Sequence, residues 1–245
     1  MSNKSYKEFS QIYDLLMDDI DYEKWTSFII GKTKGSRKIL EAACGTGSIT
    51  RLLAQADMKV TAFDLSEDML MRAYEKLGRN PGVKLLNQDM TDFKVDDRFD
   101  AAVCCCDGIN YLTDKEVSSF FENVRDHLND SGKFIFDMST DYKYDTMFNE
   151  TYVYDDGGVF YVWENMADED GRKIDMEINF FIENEDGSYS RITEVQTQYV
   201  HSSEKITELL KLAGFGCIET YDDYNDVQGE LPEKSLRAVF SAVKL

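Results

Sequence analysis

The sequence predicts an α/β fold: a doubly wound, mostly parallel sheet with flanking helices, preceded by a helical segment and carrying a small antiparallel β meander near its end. Three observations predict it. Lys38-Ile39-Leu40 reads as the end of a buried strand that turns through the small residues 42–47 into a helix, whose apolar positions Ile49, Leu52, Leu53 and Ala56 are spaced i, i+3, i+4, i+7. Strand and helix patterns then alternate to about residue 139, the rhythm of a parallel sheet. Beyond it the period drops to two: Ile174, Met176, Ile178 and Phe180 alternate with Asp175, Glu177 and Asn179, as in a half-buried antiparallel strand.

Taken in order, residues 1–34 read as a helical cap rich in aromatics: Tyr6, Phe9, Tyr13, Tyr22, Trp25 and Phe28. After the first strand and helix, residues 59–63 form a second strand closed by Asp64, and Ser66 caps the next helix with Glu67 and Asp68 in its first turn. Residues 83–86 and 99–106 are the third and fourth strands. Thr113-Asp114-Lys115-Glu116 is a capping box opening a helix with the stripe Val117, Phe120, Phe121, Val124 and Leu128. Asp156-Gly157, Asp170-Gly171 and Asp186-Gly187 are hairpin signals, giving four strands near 152–154, 159–163, 172–182 and 189–200. Helical spacing returns with Ile206, Leu209, Leu210 and Ala213 and stops at Gly214, leaving 217–221 and 237–243 as the last strands. The predicted organisation is a cap over 1–34, a sheet domain over 35–139 and 201–245, and a β insertion over 140–200. The insertion leaves the C-terminal edge of the sheet, where ligands of such folds bind, and so reads as a lid.

Composition narrows the function. The 245 residues carry 47 acids and 27 bases, a net charge of −20, which disfavours nucleic acid and anionic membrane surfaces as partners. Residues 140–200 alone hold 15 acids and 4 bases. No apolar run approaches the roughly 18 residues of a membrane span, and the first residues have no signal core, so a cytoplasmic enzyme is expected. The five cysteines lack zinc spacing, and Cys104, Cys105 and Cys106 lie consecutively on a strand, as small buried residues of a reducing compartment do. No metal site is expected.

The glycine turn carries the chemistry. A strand–turn–helix of this kind lets backbone approach a ligand and aims helix N–H groups at it, and an acid ending the second strand suits two ribose hydroxyls. The dinucleotide pattern G-x-G-x-x-G is broken, because Gly45-Thr46-Gly47-Ser48-Ile49 is followed by Thr50. Glu41, four residues before Gly45, would repel a pyrophosphate and instead suits a cofactor bearing an ammonium group.

These residues resemble motif I of the class I S-adenosylmethionine-dependent methyltransferases, (D/E)-x-G-x-G-x-G, with Ala43 at the first glycine. Asp64-Leu65-Ser66-Glu67-Asp68-Met69-Leu70 is similar to that family's second motif, and Asn87-Gln88-Asp89-Met90 to its third. Phe99-Asp100-Ala101-Ala102-Val103, the turn Asp130-Ser131-Gly132 and Leu212-Ala213-Gly214-Phe215 resemble later family elements. The resemblance implies a Rossmann-like sheet of seven strands, the last antiparallel, with S-adenosyl-L-methionine as cofactor.

It also implies roles. Glu41 serves the methionine ammonium, and Gly45 and Gly47, in the turn with Ala43 and Cys44, admit the methionine portion. Asp64 takes the ribose hydroxyls, Leu65 and Met69 flank the adenine, and Asp89 accepts from its amino group beside Met90. Tyr13 belongs to a segment that closes over the cofactor. The stretch Cys106-Asp107-Gly108-Ile109-Asn110-Tyr111 falls beside the methyl group, with Asp107, Asn110 and Tyr111 as candidates for orienting the acceptor. It lacks the (N/D)-P-P-(Y/F) signature of methylases acting on planar nitrogens. Glu194 is a candidate base, whereas His127 and His201 read as helix-end or surface residues. The reading is a methyltransferase acting on a small molecule, with an amine as acceptor and the oligomeric state open. A non-catalytic cofactor sensor and a protein or RNA methyltransferase are the alternatives.

Overall fold

The computed structural model describes residues 12–14, 16–147, 151–156 and 158–245. Tyr6 and Phe9 of the expected cap, and Gly157 of the first hairpin turn, lie outside the described residues. One sheet has seven strands in the order β10-β11-β5-β4-β1-β2-β3. Its members are β1 (Lys38–Ala42), β2 (Lys59–Asp64), β3 (Val83–Asn87), β4 (Phe99–Cys104), β5 (Leu128–Ser139), β10 (Phe215–Asp222) and β11 (Arg237–Lys244). The pairings among β1 to β5 are parallel, and β11 runs antiparallel to both its neighbours, β5 and β10. This is the expected seven-stranded sheet with its last strand reversed.

The central strands are covered on both faces, so they read as continuous apolar runs rather than alternating ones. On one face α4 (Asp114–His127) lays Phe120 and Phe121 on Phe134 and Phe136, with Phe240 stacked at 5.1 Å on Phe136. On the other, α1 (Tyr22–Lys32) and α2 (Ser48–Gln55) bury Trp25, Phe28, Ile29, Ile49 and Leu53 against β1 and β4. The capping box at Thr113 is present in full, and Ser66 caps α3 (Glu67–Leu77). One expectation needs adjustment: β5 starts at Leu128, before the Asp130-Ser131-Gly132 turn. Its register against β4 then jumps around Ser131, which has a φ of +60°.

The insertion is a meander of β6 (Tyr152–Asp156), β7 (Val159–Ala167), β8 (Lys173–Glu183) and β9 (Tyr189–Tyr199). It is preceded by α5 (Asp141–Met147), which the sequence reading lacked because Tyr144 is its only buried residue and leaves no apolar repeat. The apolar face of β8 meets Ile12 and Met69, so the N-terminal turn is wedged between the two sheets.

Asn110 closes the base of the insertion. Its Oδ1 accepts from the Ser139 N–H at 2.9 Å, where β5 hands over to α5, and its Nδ2 donates to the Tyr199 carbonyl at 3.0 Å, where β9 ends. His201 completes the joint, with Nδ1 2.9 Å from Asp114 Oδ1 and Nε2 2.9 Å from the Leu112 carbonyl. The expected surface role for His201 is therefore corrected, since the residue is fully buried. The packing that hides it comes from distant segments. After β9 the chain returns through α6 (Ser203–Leu212). Asn110→Ala would strand the buried Ser139 N–H and the part-buried Tyr199 carbonyl, and should cost about 1–3 kcal/mol in urea unfolding. Loss below 0.5 kcal/mol would mean that water replaces the joint.

Candidate functional site

Two backbone turns, at the C-terminal ends of β1 and β4, build the site. In the first, Ala43, Gly45 and Gly47 have φ values of +51°, +52° and +76°. At Gly47 a side chain would also press on Ala73, whose Cβ would lie 3.1 Å from it. Ala43 occupies a conformation that costs a non-glycine residue about 1–2 kcal/mol, at the position where the resembled motif has glycine. In the second turn Cys106 and Asp107 are both left-handed, at +60° and +54°. Gly108 follows, and a Cβ there would sit 2.7 Å from Cys104 Sγ and 3.3 Å from Ala43 Cβ. The two turns are thus packed directly on each other.

Between these turns and β9 lies a cavity of about 1030 Å³. Of the residues singled out from the sequence, it brings together Tyr13, Ala43, Gly45, Asp64, Leu65, Met69, Asp89, Met90, Cys106 and Tyr111, and Glu194 faces it from the insertion. Glu41, Cys44, Gly47, Asp107 and Asn110 stand behind its walls rather than among them. Cys44 packs into the core between the sheet and α1. Asn110 spends both ends of its amide in the joint described above.

The polar groups are positioned by backbone. Asp64 accepts from the Gly45 N–H at 2.8 Å and the Ser66 N–H at 2.9 Å, one to each oxygen. Each oxygen keeps a second lone pair for a ligand hydroxyl. Burial leaves the Asp64 carboxyl above its ordinary range despite those bonds. Asp89 is fixed through one oxygen, which accepts from the Thr91 N–H at 2.8 Å and its hydroxyl at 2.7 Å. Tyr111 donates to Gln196 Oε1 at 2.8 Å, joining the second turn to β9. Asp14, next to Tyr13, accepts from Thr46 at 2.6 Å and from Lys76 at 2.9 Å, which ties the N-terminal turn to the glycine turn.

Glu41 is buried behind the first turn, and its Oε2 has no hydrogen-bond partner among the described residues. Burial pushes its carboxyl up to about 8, with Thr50 pulling the other way and Asp64 adding to the rise. An orphaned carboxylate oxygen beside a backbone turn open to close approach is what an ammonium-bearing ligand requires, so the residues fit S-adenosylmethionine.

Asp107 stands in a different setting. Burial alone would raise its carboxyl, but Arg237 and then Lys143 hold it well below the ordinary range. Arg237 bonds both Asp107 and Asp137. Sequence reasoning missed Arg237, Gln196 and Thr197 because they lie in the last strand and the insertion, far from any motif. Of these only Gln196 could have been signalled, by the period-2 pattern of β9 that puts it on one face with Glu194.

The Methyltransferase domain family matches residues 39–132. "Putative methyltransferase YqeM" of Bacillus subtilis (strain 168) is 34% identical over 242 residues, covering 98% of this chain and 97% of that protein. A solved S-adenosylmethionine-dependent methyltransferase from Clostridium acetobutylicum ATCC 824 superposes with a TM-score of 0.86 at 31% identity, covering 98% of each chain. The dTDP-3-amino-3,6-dideoxy-alpha-D-glucopyranose N,N-dimethyltransferase of Streptomyces fradiae is 30% identical over 128 residues, 49% of each chain. The chain belongs to the class I S-adenosylmethionine-dependent methyltransferases, and S-adenosylmethionine is its cofactor.

The raised Glu41 carboxyl makes a signed prediction for the ligand-free protein. Between an unfolded value near 4.3 and the folded value of about 8, the native state holds the extra proton, so stability contributed by that protonation is lost as pH rises through the window. Glu41→Gln should therefore gain on wild type between pH 5 and pH 8, by up to about 4 kcal/mol at 1.36 kcal/mol per pH unit. Urea titrations at the two pH values measure it. Parallel pH dependences would show that Glu41 ionises normally.

Proposed function

We propose that the enzyme methylates an amine nitrogen of a small molecule that carries no phosphate. One observation carries this reading: among the described residues lining the cavity there are six carboxylates, of Asp64, Glu67, Asp68, Asp89, Glu116 and Glu194, and no lysine, arginine or histidine. A cleft lined by one sign of charge concentrates ligands of the other sign. The Streptomyces fradiae relative is named for an amino-sugar acceptor, which supports nitrogen as the acceptor atom. That acceptor also carries a dTDP group, for which the described walls of this cavity offer no cation.

S-adenosylmethionine, when bound, supplies a methyl group made electrophilic by a positively charged sulfur. The roles we assign to the chain follow from position. Glu41 receives the ammonium end from behind the glycine turn, Asp64 takes two ribose hydroxyls, and Leu65, Met69, Met90 and Asp89 surround the adenine. Tyr13 covers Gly45, which lies 4.0 Å from its ring measured from a built Cβ. The insertion, through Glu194 to Thr197, forms the acceptor half and acts as the lid. Holding acceptor and methyl in line supplies on the order of 7–11 kcal/mol of barrier reduction, so few proton-transfer groups are needed.

Two outcomes are expected. Asp64→Ala should weaken S-adenosylhomocysteine binding roughly 10- to 150-fold in calorimetry, equivalent to about 1.5–3 kcal/mol for hydrogen bonds to a charged group. A change below twofold with the fold intact would remove Asp64 from the ribose site. In a panel of amines, amino sugars, amino acids, phenols, dTDP-amino sugars and short RNAs with labelled S-adenosylmethionine, unphosphorylated amines should turn over best. Their KM should rise with salt as the field is screened. Preferred turnover of a dTDP sugar or RNA would overturn the reading.

A further inference from the structure

The buried charge cluster behind the second turn is not explained by cofactor or acceptor binding. Asp107, Asp137 and Arg237 are brought together from the end of β4, from β5 and from β11. Asp137 is wholly buried, and its carboxylate also accepts from the Asp107 N–H at 3.3 Å and from the Tyr224 hydroxyl at 3.2 Å. Lys143 of α5 approaches Asp107 at 3.7 Å. The guanidinium is covered by Trp25 of α1, 4.7 Å away, and Trp25 stacks on Tyr224 at 4.5 Å.

We propose that Arg237 is a positioning residue for methyl transfer, clamping the left-handed Cys106–Asp107 turn so that Cys106, Gly108 and Tyr111 form the cavity wall. Two adjacent non-glycine residues with positive φ persist only when their surroundings over-determine them. Here the surroundings are the fork of Arg237 on two carboxylates, the Asp107 N–H on Asp137, and Gly108 pressed against Ala43. Removing the guanidinium leaves two buried carboxylates facing each other, with Lys143 at 3.7 Å as the remaining cation beside Asp107 among the described residues, so the side chain of Asp107 is driven outward and its backbone follows. Asp107 thereby acts on the site through the shape of its backbone, with its carboxylate engaged away from the acceptor. The clamp also reaches α1 through Trp25, which makes the N-terminal helix part of the same support.

The proposal rests on reading this cavity as the methyl-transfer site, and the experiment separates the two. In a Cys217→Ser background, which removes the exposed thiol, the other four cysteines are modified with 5,5′-dithiobis(2-nitrobenzoate) and mapped by peptide mass. Arg237→Met should speed modification of Cys106 at least tenfold while Cys104 and Cys105 stay protected. The sign is informative. Burial holds the Cys106 thiol up and Arg237 is the strongest influence pulling it down, so loss of charge alone would slow the reaction. An unchanged or slower rate overturns the clamp. If every cysteine reacts, the variant has lost its fold, and Arg237→Lys, which keeps the charge but not the fork, decides by the same criterion.

Two further readouts complete the test. S-adenosylhomocysteine affinity of Arg237→Met should stay within threefold of wild type. With the best amine of the panel, kcat should fall at least tenfold and KM change less than threefold, with partial recovery in Arg237→Lys. A kcat equal to wild type, or equal losses in kcat and cofactor affinity, would overturn a positioning role. Failure of wild type to bind S-adenosylhomocysteine would instead remove the reading of the cavity and leave the thiol result to judge Arg237.

Discussion

The structure depends on the close contact of two left-handed turns at the C-terminal ends of adjacent parallel strands. β1 and β4 lie side by side, so the chain leaving each must bend away at once without colliding with its neighbour. The first turn uses Ala43, Gly45 and Gly47, the second Cys106, Asp107 and Gly108, and the missing Cβ of Gly108 is what lets the second rest on Ala43. Because both turns line the same cavity, one packing contact sets the spacing of its floor, and with it, under the proposed function, the seats of both ligands. Ala43 and the Cys106–Asp107 pair show that the fold tolerates unfavourable backbone here, with other interactions supplying the difference.

Charge follows a related logic. The described cavity walls hold carboxylates without basic residues, while the nearby cations are spent elsewhere: Lys76 on Asp14 and Thr46, Arg237 on Asp107 and Asp137. Carboxylates crowded at the edge of a desolvated cleft repel one another, and a cationic ligand relieves that repulsion. The methyl donor arrives with a sulfonium and an ammonium and leaves as a thioether with the ammonium alone. By charge alone, an acidic cavity attracts the donor more strongly than the spent product.

The motif region and the succession of its elements along the chain were readable from the sequence because short-range geometry dictates them. A glycine turn after a buried strand, an acid at the end of the next and a capping box at Thr113 each need specific residues within a few positions. The hairpins of the insertion were readable for the same reason, from Asp-Gly pairs between period-2 runs. What escaped were partnerships across long separations. Arg237 meets Asp107 at a separation of 130 residues, and His201 meets Leu112 at 89. Neither belongs to a periodic pattern, so a histidine preceding a helix looked like a surface residue. The helix Asp141–Met147 escaped because its packing uses Tyr144 alone. Asp107 and Asn110 were singled out to orient an acceptor, and the sequence carries no sign that Asp107 turns to Arg237 and Asn110 to the base of the insertion.

The insertion brings the remaining wall, and its attachment explains why the N-terminal turn matters. The meander is tied to the sheet domain at its base by Asn110 and His201, and Tyr111 reaches Gln196 beyond that joint. Toward its far end, Phe180 and Ile192 pack on Ile12 and Met69, so the N-terminal turn fills the space between the sheets. That turn is itself held by Asp14, through Thr46 and Lys76, to the glycine turn of β1. The cavity is thus enclosed by three separate chain segments that meet through a few polar ties and one small apolar cluster, and the residues nearest the glycine turn also set the seating of the insertion. Opening the N-terminal tie would loosen the cover over the glycine turn and the apolar support of the insertion together, because the same short segment makes both contacts.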